Sequence, residues 1–390
     1  MLRIPWSGRC RRRRVATAVV AVLVVLSAWI VIPALRAPGN DSLAAKVAES
    51  ARDHGLGALV TAAEWVQYRV SPPQEGGAPD AAARRSLAAD LPSLSASPSA
   101  SPSASPSASP SPAAVVLRPP LPPLASPALP GEGVYTTRVT VGGLPALQTA
   151  LLRPDAVHTS YLAGVAWMSS KLLRFVQHPG ATDPGRPSLW KQQPVVPADQ
   201  RAGLAATFNG GFKIADSHGA FYEDGHSVGT FRPGAASVVV YADGHADVGA
   251  WGSDVTMTPQ VRSVRQNLGL LLSGGRPTPD TSSDSQTTWG TTIGVGAYVW
   301  RSGIGVTAAG DVVYVAGNAL SARTLAVLLQ RAGAVRAMEL DINRSWVSYM
   351  WYSTDGPSRA VVPHKIVDFV RPADRYFTVN NRDFFAVYRR

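Results

Sequence analysis

A stretch rich in Pro, Ala and Ser between residues 71 and 130 divides the chain into two unequal parts. It includes the repeat SASPSASPSASPSASPSP, which has too few apolar side chains to offset the conformational entropy lost when a chain becomes ordered. We therefore predict a disordered, polyproline-biased stalk at residues 71–130. The remaining residues 131–390 form one candidate domain of about 260 residues, a length that a single mixed domain can reach.

Residues 15–35 are an uncharged, mostly apolar run of 21 residues. A helix needs about 20 residues to cross the hydrocarbon core of a bilayer, so the run predicts a transmembrane helix. Six arginines precede it within the first 14 residues, which predicts a basic cytoplasmic tail at residues 1–14 and a C-terminal domain outside the cell. The chain is thus expected to be a single-pass type II protein of the cell membrane. A signal peptide cleaved near Ala37 is the alternative.

The charge and the cysteine content exclude several classes of function. The formal net charge is +11, but seven arginines and no acid fall within the first 40 residues, which leaves +4 (11 minus 7) for residues 41–390. This balance argues against a dedicated nucleic-acid-binding protein. The single cysteine, Cys10, precedes the apolar run, so the exported part has no thiol for a disulfide, a nucleophile or a thiolate zinc site.

Helical patterns follow the apolar run at residues 42–70. Ser42 is a predicted N-cap of a helix that ends near Gly55, and LGALVTAAEWVQY places Leu59, Ala63 and Val66 on one helical face. We predict a short helical hairpin beside the membrane, with a packing or spacer role.

The C-terminal domain alternates strand and helix patterns. SVVVYADGHADVGAW predicts a hairpin that turns at Asp243 and Gly244, and SGIGVTAAGDVVYVAG predicts a second hairpin. SARTLAVLLQRAG predicts a helix with Ser321 as its N-cap and Gly333 at its end. Because VVYVA precedes this helix and VRAMELDI follows it, we predict a βαβ unit with a right-handed crossover. The fold class is therefore α+β with mixed β-sheets.

The segment AMELDINRSW places acids inside an apolar strand pattern. Side chains alternate between the two faces of a strand, so Glu339 and Asp341 share one face, which buries them at a cost unless they have partners. They would lie at the carboxyl end of a strand, where open α/β sheets bind ligands. Two alternatives stay open: ion pairs with arginines such as Arg336 or Arg344, and, together with Asn343, a site for a hard cation such as calcium.

Two further segments carry residues suited to anion binding. ATFNGGFK ends an apolar strand with Asn209, Gly210 and Gly211, and paired glycines allow close approach of the backbone to a ligand. An ordinary turn explains this segment equally well. WRSGIGV places Arg301 at a strand edge, where its planar guanidinium matches a phosphate or a carboxylate.

ATFNGGF, QNLGLLLSGGRP, WRSGIGV and VRAMELDI, in this order, resemble the phosphodiester glycosidase family over about residues 131–390. This family usually has Asp-Gly-Gly-Gly-Ser after the last of these strands. The chain instead has Asp341, Ile342, Asn343, Arg344 and Ser345, so the aspartate is retained and the glycines are replaced.

The resemblance implies hydrolysis of the bond between the anomeric carbon of a sugar and a phosphodiester oxygen, a reaction that needs an anion site and carboxyl groups. Together with the predicted location it implies sugar-phosphate polymers or glycolipids of the cell envelope as substrates, and no cofactor is expected. The resemblance implies these site residues: catalytic Asp341 and Glu339, and substrate- or phosphate-binding Asn209, Gly210, Gly211, Arg301 and Asn343.

Three other functions are consistent with parts of the sequence. Residues 225–229 spell G-x-S-x-G with Ser227, but the strand-turn-helix context of a serine hydrolase is missing, even though Asp341 and His364 follow in triad order. His218, Glu223, Asp224 and His226 carry potential metal ligands without a known ligand spacing. A domain that binds an anionic wall polymer without cleaving it would use some of the ten tryptophans to stack on sugar rings.

Overall fold

The computed structural model describes residues 7–37, 42–57, 60, 72–89, 118–283, 286–290, 297–355 and 360–390. The α-helices are α1 (Ser7–Arg36), α2 (Leu43–Ala51), α3 (Ala81–Ala89), α4 (Ile214–Ser217), α5 (Gln286–Trp289) and α6 (Ala322–Arg331). The strands are β1 (Thr136–Val141), β2 (Leu144–Leu152), β3 (Ala163–Met168), β4 (Leu173–His178), β5 (Leu204–Asn209), β6 (Ala220–Glu223), β7 (His226–Gly229), β8 (Ala236–Tyr241), β9 (Ala246–Ala250), β10 (Val261–Gln266), β11 (Leu270–Ser273), β12 (Arg276–Pro277), β13 (Val299–Thr307), β14 (Val312–Leu320), β15 (Ala334–Glu339), β16 (Tyr349–Thr354), β17 (Val361–Lys365) and β18 (Phe384–Arg389).

The strands form three sheets, which confirms the α+β class. Their orders are β1-β2-β3-β14-β13-β15-β11-β12, β7-β6-β10-β8-β9 and β17-β16-β5-β18-β4. The strands β14 and β15 run parallel and are joined by α6, as predicted for a βαβ unit. They are not neighbours, however, because β13 lies between them and pairs antiparallel with both.

The eight-stranded sheet is buried on both faces. In β14, Val313 and Val315 pack with α6 on one face, whereas Val312, Tyr314 and Ala316 belong to the larger core shared with the two five-stranded sheets. This double burial explains why β14 reads as a continuous apolar run rather than as an alternation of apolar and polar residues.

The hairpins, the helix N-cap and the glycine at the helix end that the sequence predicts are present in the structure. The strands β8 and β9 pair across the turn at Asp243 and Gly244, and β13 pairs with β14. The Ser321 side chain accepts a hydrogen bond from Thr324 N at 3.0 Å, and Gly333 adopts a φ of 97° just after α6.

The N-terminal helices match part of the prediction. Ser42 caps α2, which packs on α1 and is followed by a π-helical turn at Arg52–Leu56. Residues 15–35 lie within α1, but no helix among the described residues has the length and apolar character needed to cross a bilayer, so the predicted span has no support there. Most of LGALVTAAEWVQY and the whole Pro/Ala/Ser repeat lie outside the described residues.

Candidate active site

Asp341 lies just beyond β15, next to the loop that precedes β18. Its Oδ1 accepts hydrogen bonds from the backbone N–H groups of Ile342, at 2.7 Å, and Asn343, at 2.9 Å. These two bonds fix the carboxyl group in a tight turn, since a short acidic side chain readily accepts from the backbone two residues ahead. The residue is only 3% exposed, so its carboxyl group is held in a desolvated position.

Arg382, in the loop that precedes β18, faces Asp341. Its Nη2 lies 3.7 Å from Asp341 Oδ2 and donates to Gly211 O at 3.0 Å, while its Nε lies 3.5 Å from Asp183 Oδ2. Burial lowers the pKa of Arg382, but four nearby carboxylates raise it more, so that it stays above its ordinary value. Arg382 is therefore a permanent positive charge between two aspartates.

The pKa of Asp341 is raised to about 6. Burial is the main cause, and it outweighs the opposing effects of Arg382 and of the two backbone N–H donors. A carboxyl group with a pKa in this range can exchange a proton near neutral pH, which is the property required of a general acid or base.

Gly210 and Gly211, in the loop after β5, pack against a buried ion pair. Arg265 Nε donates to Asp383 Oδ2 at 2.9 Å, and Arg265 also donates to Phe212 O. A Cβ at Gly210 would lie 1.9 Å from Asp383 Oδ2, so close approach rather than an unusual φ requires glycine here. The Gly210 N–H donates to Asp383 O at 3.0 Å, so this amide supports the loop itself.

Asn209 supports the site from within the core. Its Nδ2 donates to Ser302 Oγ at 3.0 Å, and its Oδ1 accepts from Tyr314 OH and Ser348 N. Ser302 Oγ in turn accepts from Asp341 N at 3.2 Å. The structure therefore connects Asn209 to the backbone of Asp341, while a direct role for Asn209 in orienting a substrate stays a prediction.

Arg301 and Glu339 are paired with each other. Arg301 Nη1 lies 2.5 Å from Glu339 Oε1, and other guanidinium nitrogens donate to the carbonyl oxygens of Leu320 and Ala297. Burial raises the pKa of Glu339, and the charge of Arg301 opposes this shift. The catalytic role of Glu339 and the phosphate-binding role of Arg301 remain predictions.

Residues 341–345, which differ from the Asp-Gly-Gly-Gly-Ser sequence of the phosphodiester glycosidases, form a compact turn. Asn343 Oδ1 accepts from Ser345 N at 2.8 Å, and Asn343 O accepts from the N–H groups of Trp346 and Val347. The turn holds the Trp346 ring 5.4 Å from the guanidinium carbon of Arg382. Asn343 thus stabilises the turn that carries Trp346, and its predicted contact with a substrate stays a prediction.

Arg382, Asp383, Asp183 and Arg265 surround Asp341 and the loop after β5 but are not among the site residues predicted from the sequence. The segment NRDFFAVYRR carried the same signal as AMELD, because Arg382 and Asp383 stand immediately before the apolar strand β18. Arg265 is fully buried within β10, where an arginine requires a partner. Asp183 lies in a loop and carries no comparable signal.

The alternative sites gain no support among the described residues. Ser227 lies in the short strand β7, followed by no helix, and His364 Nε2 lies 2.8 Å from Ser353 Oγ instead. No group of three or more His, Cys, Asp or Glu residues suited to a metal ion occurs in the described part of the chain. Both acids lie in ion pairs with arginines, as the ion-pair alternative expected, but the partners are Arg301 for Glu339 and Arg382 for Asp341 rather than Arg336 or Arg344.

Comparison with known proteins agrees with the resemblance seen in the sequence. Residues 202–343 match the family model of phosphodiester glycosidase. This segment contains Gly210, Gly211 and Asp341. The resemblance is therefore confirmed over this segment. No curated protein matches the chain at a significant level.

Three solved structures are similar in shape at low sequence identity. The catalytic domain of zebrafish N-acetylglucosamine-1-phosphodiester alpha-N-acetylglucosaminidase is 14% identical, with a TM-score of 0.42, over 66% of this chain and 88% of that chain. A hypothetical protein from Synechocystis is 13% identical, with a TM-score of 0.36, over 66% and 64% of the two chains. A putative exported protein from Burkholderia pseudomallei is 10% identical, with a TM-score of 0.29, over 58% and 74%.

Proposed function

We propose that the domain hydrolyses the bond between the anomeric carbon of a sugar and the phosphate oxygen of a sugar-1-phosphodiester. The family match over residues 202–343 supports the reaction class. The observation that carries the proposal is the position of Asp341, whose buried carboxyl group has a raised pKa and faces the guanidinium of Arg382 beside the glycine loop.

The proposed reaction assigns distinct tasks to these groups. The bond from the anomeric carbon to the phosphate oxygen breaks, the phosphate leaves with the bonding electrons, and water supplies the new hydroxyl group. Asp341 accepts the proton of this water or stabilises the positive charge that develops at the anomeric carbon. Arg382 offsets the negative charge of the departing phosphate, and no strong acid is needed because phosphate is a good leaving group.

The decisive experiment measures release of free sugar from a panel of sugar-1-phosphodiesters. The full chain should release sugar from at least one of them, and Asp341→Asn should lower kcat at least about a hundredfold, the scale expected for a general acid or base. Asp368→Asn, which changes an exposed aspartate beside Lys365, should leave kcat unchanged. Equal turnover by Asp341→Asn and the unaltered chain would remove Asp341 from the mechanism.

A non-catalytic binding domain is the second candidate. It is favoured by Trp346, whose ring has the guanidinium carbons of Arg371 at 4.8 Å and Arg382 at 5.4 Å, an arrangement suited to anionic sugars. The same panel distinguishes the two functions. Saturable binding of a polymer without sugar release, unchanged by Asp341→Asn, would favour the binding domain.

Envelope polymers or glycolipids are the proposed substrates, outside the cell, with the N-terminal segment as membrane anchor. The support for this location is in the sequence, where six arginines precede an uncharged run of 21 residues. Protease added to intact cells should digest the C-terminal domain. Protection of the domain until the cells are lysed would overturn the proposed location.

A further inference from the structure

The ring of Trp346 lies among three guanidinium groups. The guanidinium carbons of Arg371, Arg382 and Arg375 lie 4.8, 5.4 and 5.6 Å from the ring centroid, which is the range of a cation–π contact. Trp346 is only 4% exposed, and such contacts are stronger when they are shielded from water. The ring therefore offers Arg382 a buried aromatic surface on which to pack.

The backbone of Trp346 is fixed by the same turn that carries Asp341. Trp346 N donates to Asn343 O at 2.8 Å, and Asn343 N donates to Asp341 Oδ1 at 2.9 Å. Trp346 O accepts from Arg375 Nη1 at 3.2 Å and from Ser348 Oγ at 3.0 Å. The positions of the Asp341 carboxylate and of the Trp346 ring are thus set together.

Arg382 does not close onto either of its carboxylates. Its Nη2 lies 3.7 Å from Asp341 Oδ2, and its Nε lies 3.5 Å from Asp183 Oδ2. The buried Nε forms no hydrogen bond with the described residues. Besides the Trp346 ring, the hydrogen bond of 3.0 Å from Nη2 to Gly211 O is the contact that fixes the guanidinium.

Other buried arginines of the domain form closed pairs. Arg265 Nε lies 2.9 Å from Asp383 Oδ2, and Arg153 Nη2 lies 2.8 Å from Glu132 Oε2. Charge-assisted hydrogen bonds favour these short distances. The longer spacing at Arg382 therefore requires contacts that hold its guanidinium back.

The charged side chains around Asp341 and Arg382 come from loops, strands and one helix. They are Asp183, Asp383 with its partner Arg265, Glu339 with its partner Arg301, and Glu49 of α2 with its partner Lys213. Arg382 lowers the pKa of Asp341, whereas burial and the charge of Glu49 raise it. The distance from Arg382 to Asp341 therefore affects how strongly this carboxyl group holds its proton.

We propose that Trp346 is a positioning residue, which holds the guanidinium of Arg382 apart from the carboxylate of Asp341 so that both groups remain available to a substrate. In a closed ion pair each group would satisfy the other, and a substrate would have to break the pair. In the open arrangement Asp341 can take a proton from water and Arg382 can approach the departing phosphate. The proposal rests on the proposed function for these two tasks.

A titration of Asp341 tests the spacing without any turnover. The full chain is labelled with carboxyl-¹³C aspartate, and the signal absent from Asp341→Asn identifies the residue. Its midpoint should lie near pH 6 in the unaltered chain. Trp346→Leu lets Arg382 close onto Asp341, so the midpoint should fall by about one pH unit or more, because a closer cation favours the carboxylate. Trp346→Phe keeps an aromatic face and should restore most of the original midpoint.

A matched tryptophan separates positioning from general packing. Trp351→Leu removes a ring of β16 that also has an arginine over it, Arg138 at 5.0 Å, and it should leave the Asp341 midpoint unchanged. On the cleaved sugar-1-phosphodiester, Trp346→Leu should lower kcat about tenfold or more. The acid limb of its kcat profile should move to lower pH together with the midpoint. A tryptophan that only stabilises the fold would lower the Tm and leave both pH values in place.

A crystal structure of the unaltered chain at pH 8, where Asp341 is charged, measures the spacing directly and decides the question even if Trp346→Leu does not fold. Arg382 Nη2 and Asp341 Oδ2 should stay more than about 3.2 Å apart. A closed pair at about 2.8 Å, or a midpoint that Trp346→Leu does not move, would overturn the positioning role. A shifted midpoint without cleavage of any sugar-1-phosphodiester would overturn the proposed reaction alone.

Discussion

Glu339, at the end of β15, and Asp341, just beyond it, have different surroundings. Glu339 forms a buried ion pair with Arg301 at 2.5 Å, whereas Asp341 has only a longer contact of 3.7 Å to Arg382 and two backbone donors. The structure thus keeps Asp341 desolvated without a close counter-ion. A group in this condition is costly for folding and available for chemistry.

Replacing Asp341 should therefore stabilise the protein at neutral pH. Its folded pKa of about 6 is above the ordinary aspartate value of 3.8, so the charged form is disfavoured in the fold. Stability from this group is present below the unfolded pKa and is lost as the pH rises through about 6. Asp341→Asn should raise the unfolding free energy by about 1–3 kcal/mol at pH 7.5, and the gain should shrink as the pH falls towards 4.

Urea unfolding of the two proteins at pH 7.5 and pH 4.5 measures this difference. Asp368→Asn, at an exposed aspartate, serves as the control and should change stability by less than about 0.5 kcal/mol. A gain of the same size at both pH values, or a loss at pH 7.5, would contradict the cause assigned to the raised pKa of Asp341.

The Arg301–Glu339 pair should behave as a structural element. Glu339→Ala leaves the Arg301 charge buried without its partner, which should cost about 3–5 kcal/mol. The double variant Arg301→Met/Glu339→Leu should be much less destabilised than the sum of its single changes. The more exposed pair of Arg336 and Asp247 is the matched control, where removal of one partner should cost about 0–1 kcal/mol.

The same variants test the site roles that the family resemblance implies for Arg301 and Glu339. A double variant that folds and retains the KM of the unaltered chain would assign the pair to structure. A rise in KM at unchanged stability would instead show that the pair binds substrate. Urea unfolding and initial-rate kinetics on one preparation give both answers.

For single residues, the sequence predicts which side chains are buried better than it predicts which residues they contact. The apolar strand pattern correctly predicts that Glu339, at the end of β15, and Asp341, just beyond it, are buried. It does not reveal that Asp341 faces Arg382, because Arg382 comes from the loop before β18, a separate element at the end of the chain. Contacts between remote segments depend on the register of whole sheets.

At the scale of elements, the glycine loop after β5 depends on close packing. Gly210 and Gly211 are recognisable in the sequence, where they suggest a ligand cradle or a turn. In the structure a Cβ at Gly210 would meet Asp383 Oδ2 at 1.9 Å, and one at Gly211 would meet Arg265 Cζ at 3.1 Å. The glycines thus bring the loop against a buried ion pair, a requirement visible only when β5, β10 and β18 are assembled.

Gly210→Ala should accordingly destabilise the domain by at least about 2–3 kcal/mol, because the added methyl group must displace the Asp383 side chain or the loop. The control is Gly269→Ala, since a Cβ there has no neighbour within 4 Å and Gly269 is not in the left-handed region. This change should stay within about 0.5 kcal/mol or stabilise slightly. Comparable unfolding midpoints in urea for the two variants would contradict the packing argument.

The βαβ unit shows what periodicity alone leaves open. The patterns of β14, α6 and β15 are read correctly, and both strands run in the predicted parallel sense. The sequence of this unit does not show which strand lies between β14 and β15 in the sheet. The long hairpin partner β13 takes that place because it pairs antiparallel with both neighbours, which satisfies the backbone groups of all three strands.

At the scale of the whole molecule, the domain begins before residue 131. Leu121 is 4% exposed and packs into the core beneath α6, and its N–H donates to Gly133 O at 2.9 Å. Arg153 Nη2 donates to the carbonyl oxygens of Ala125 and Pro127. Composition assigns residues 118–130 to the Pro-rich stalk, but Pro-rich segments lose little entropy on ordering, so a few contacts suffice to fix them.

A chain that starts at residue 131 should therefore be less stable than one that starts at residue 118. The shorter chain loses the burial of Leu121, worth about 2 kcal/mol, and two carbonyl acceptors of the buried Arg153, worth about 1 kcal/mol or more each. For a domain of this size the combined loss should lower the Tm by about 5–10 °C in circular dichroism melts.

Leu121→Ala in the longer chain should show part of this decrease, because it removes the apolar contact and keeps the Arg153 acceptors. Equal Tm values for the two chains would mean that residues 118–130 contribute nothing to the domain and that the stalk extends to residue 130, as its composition indicates.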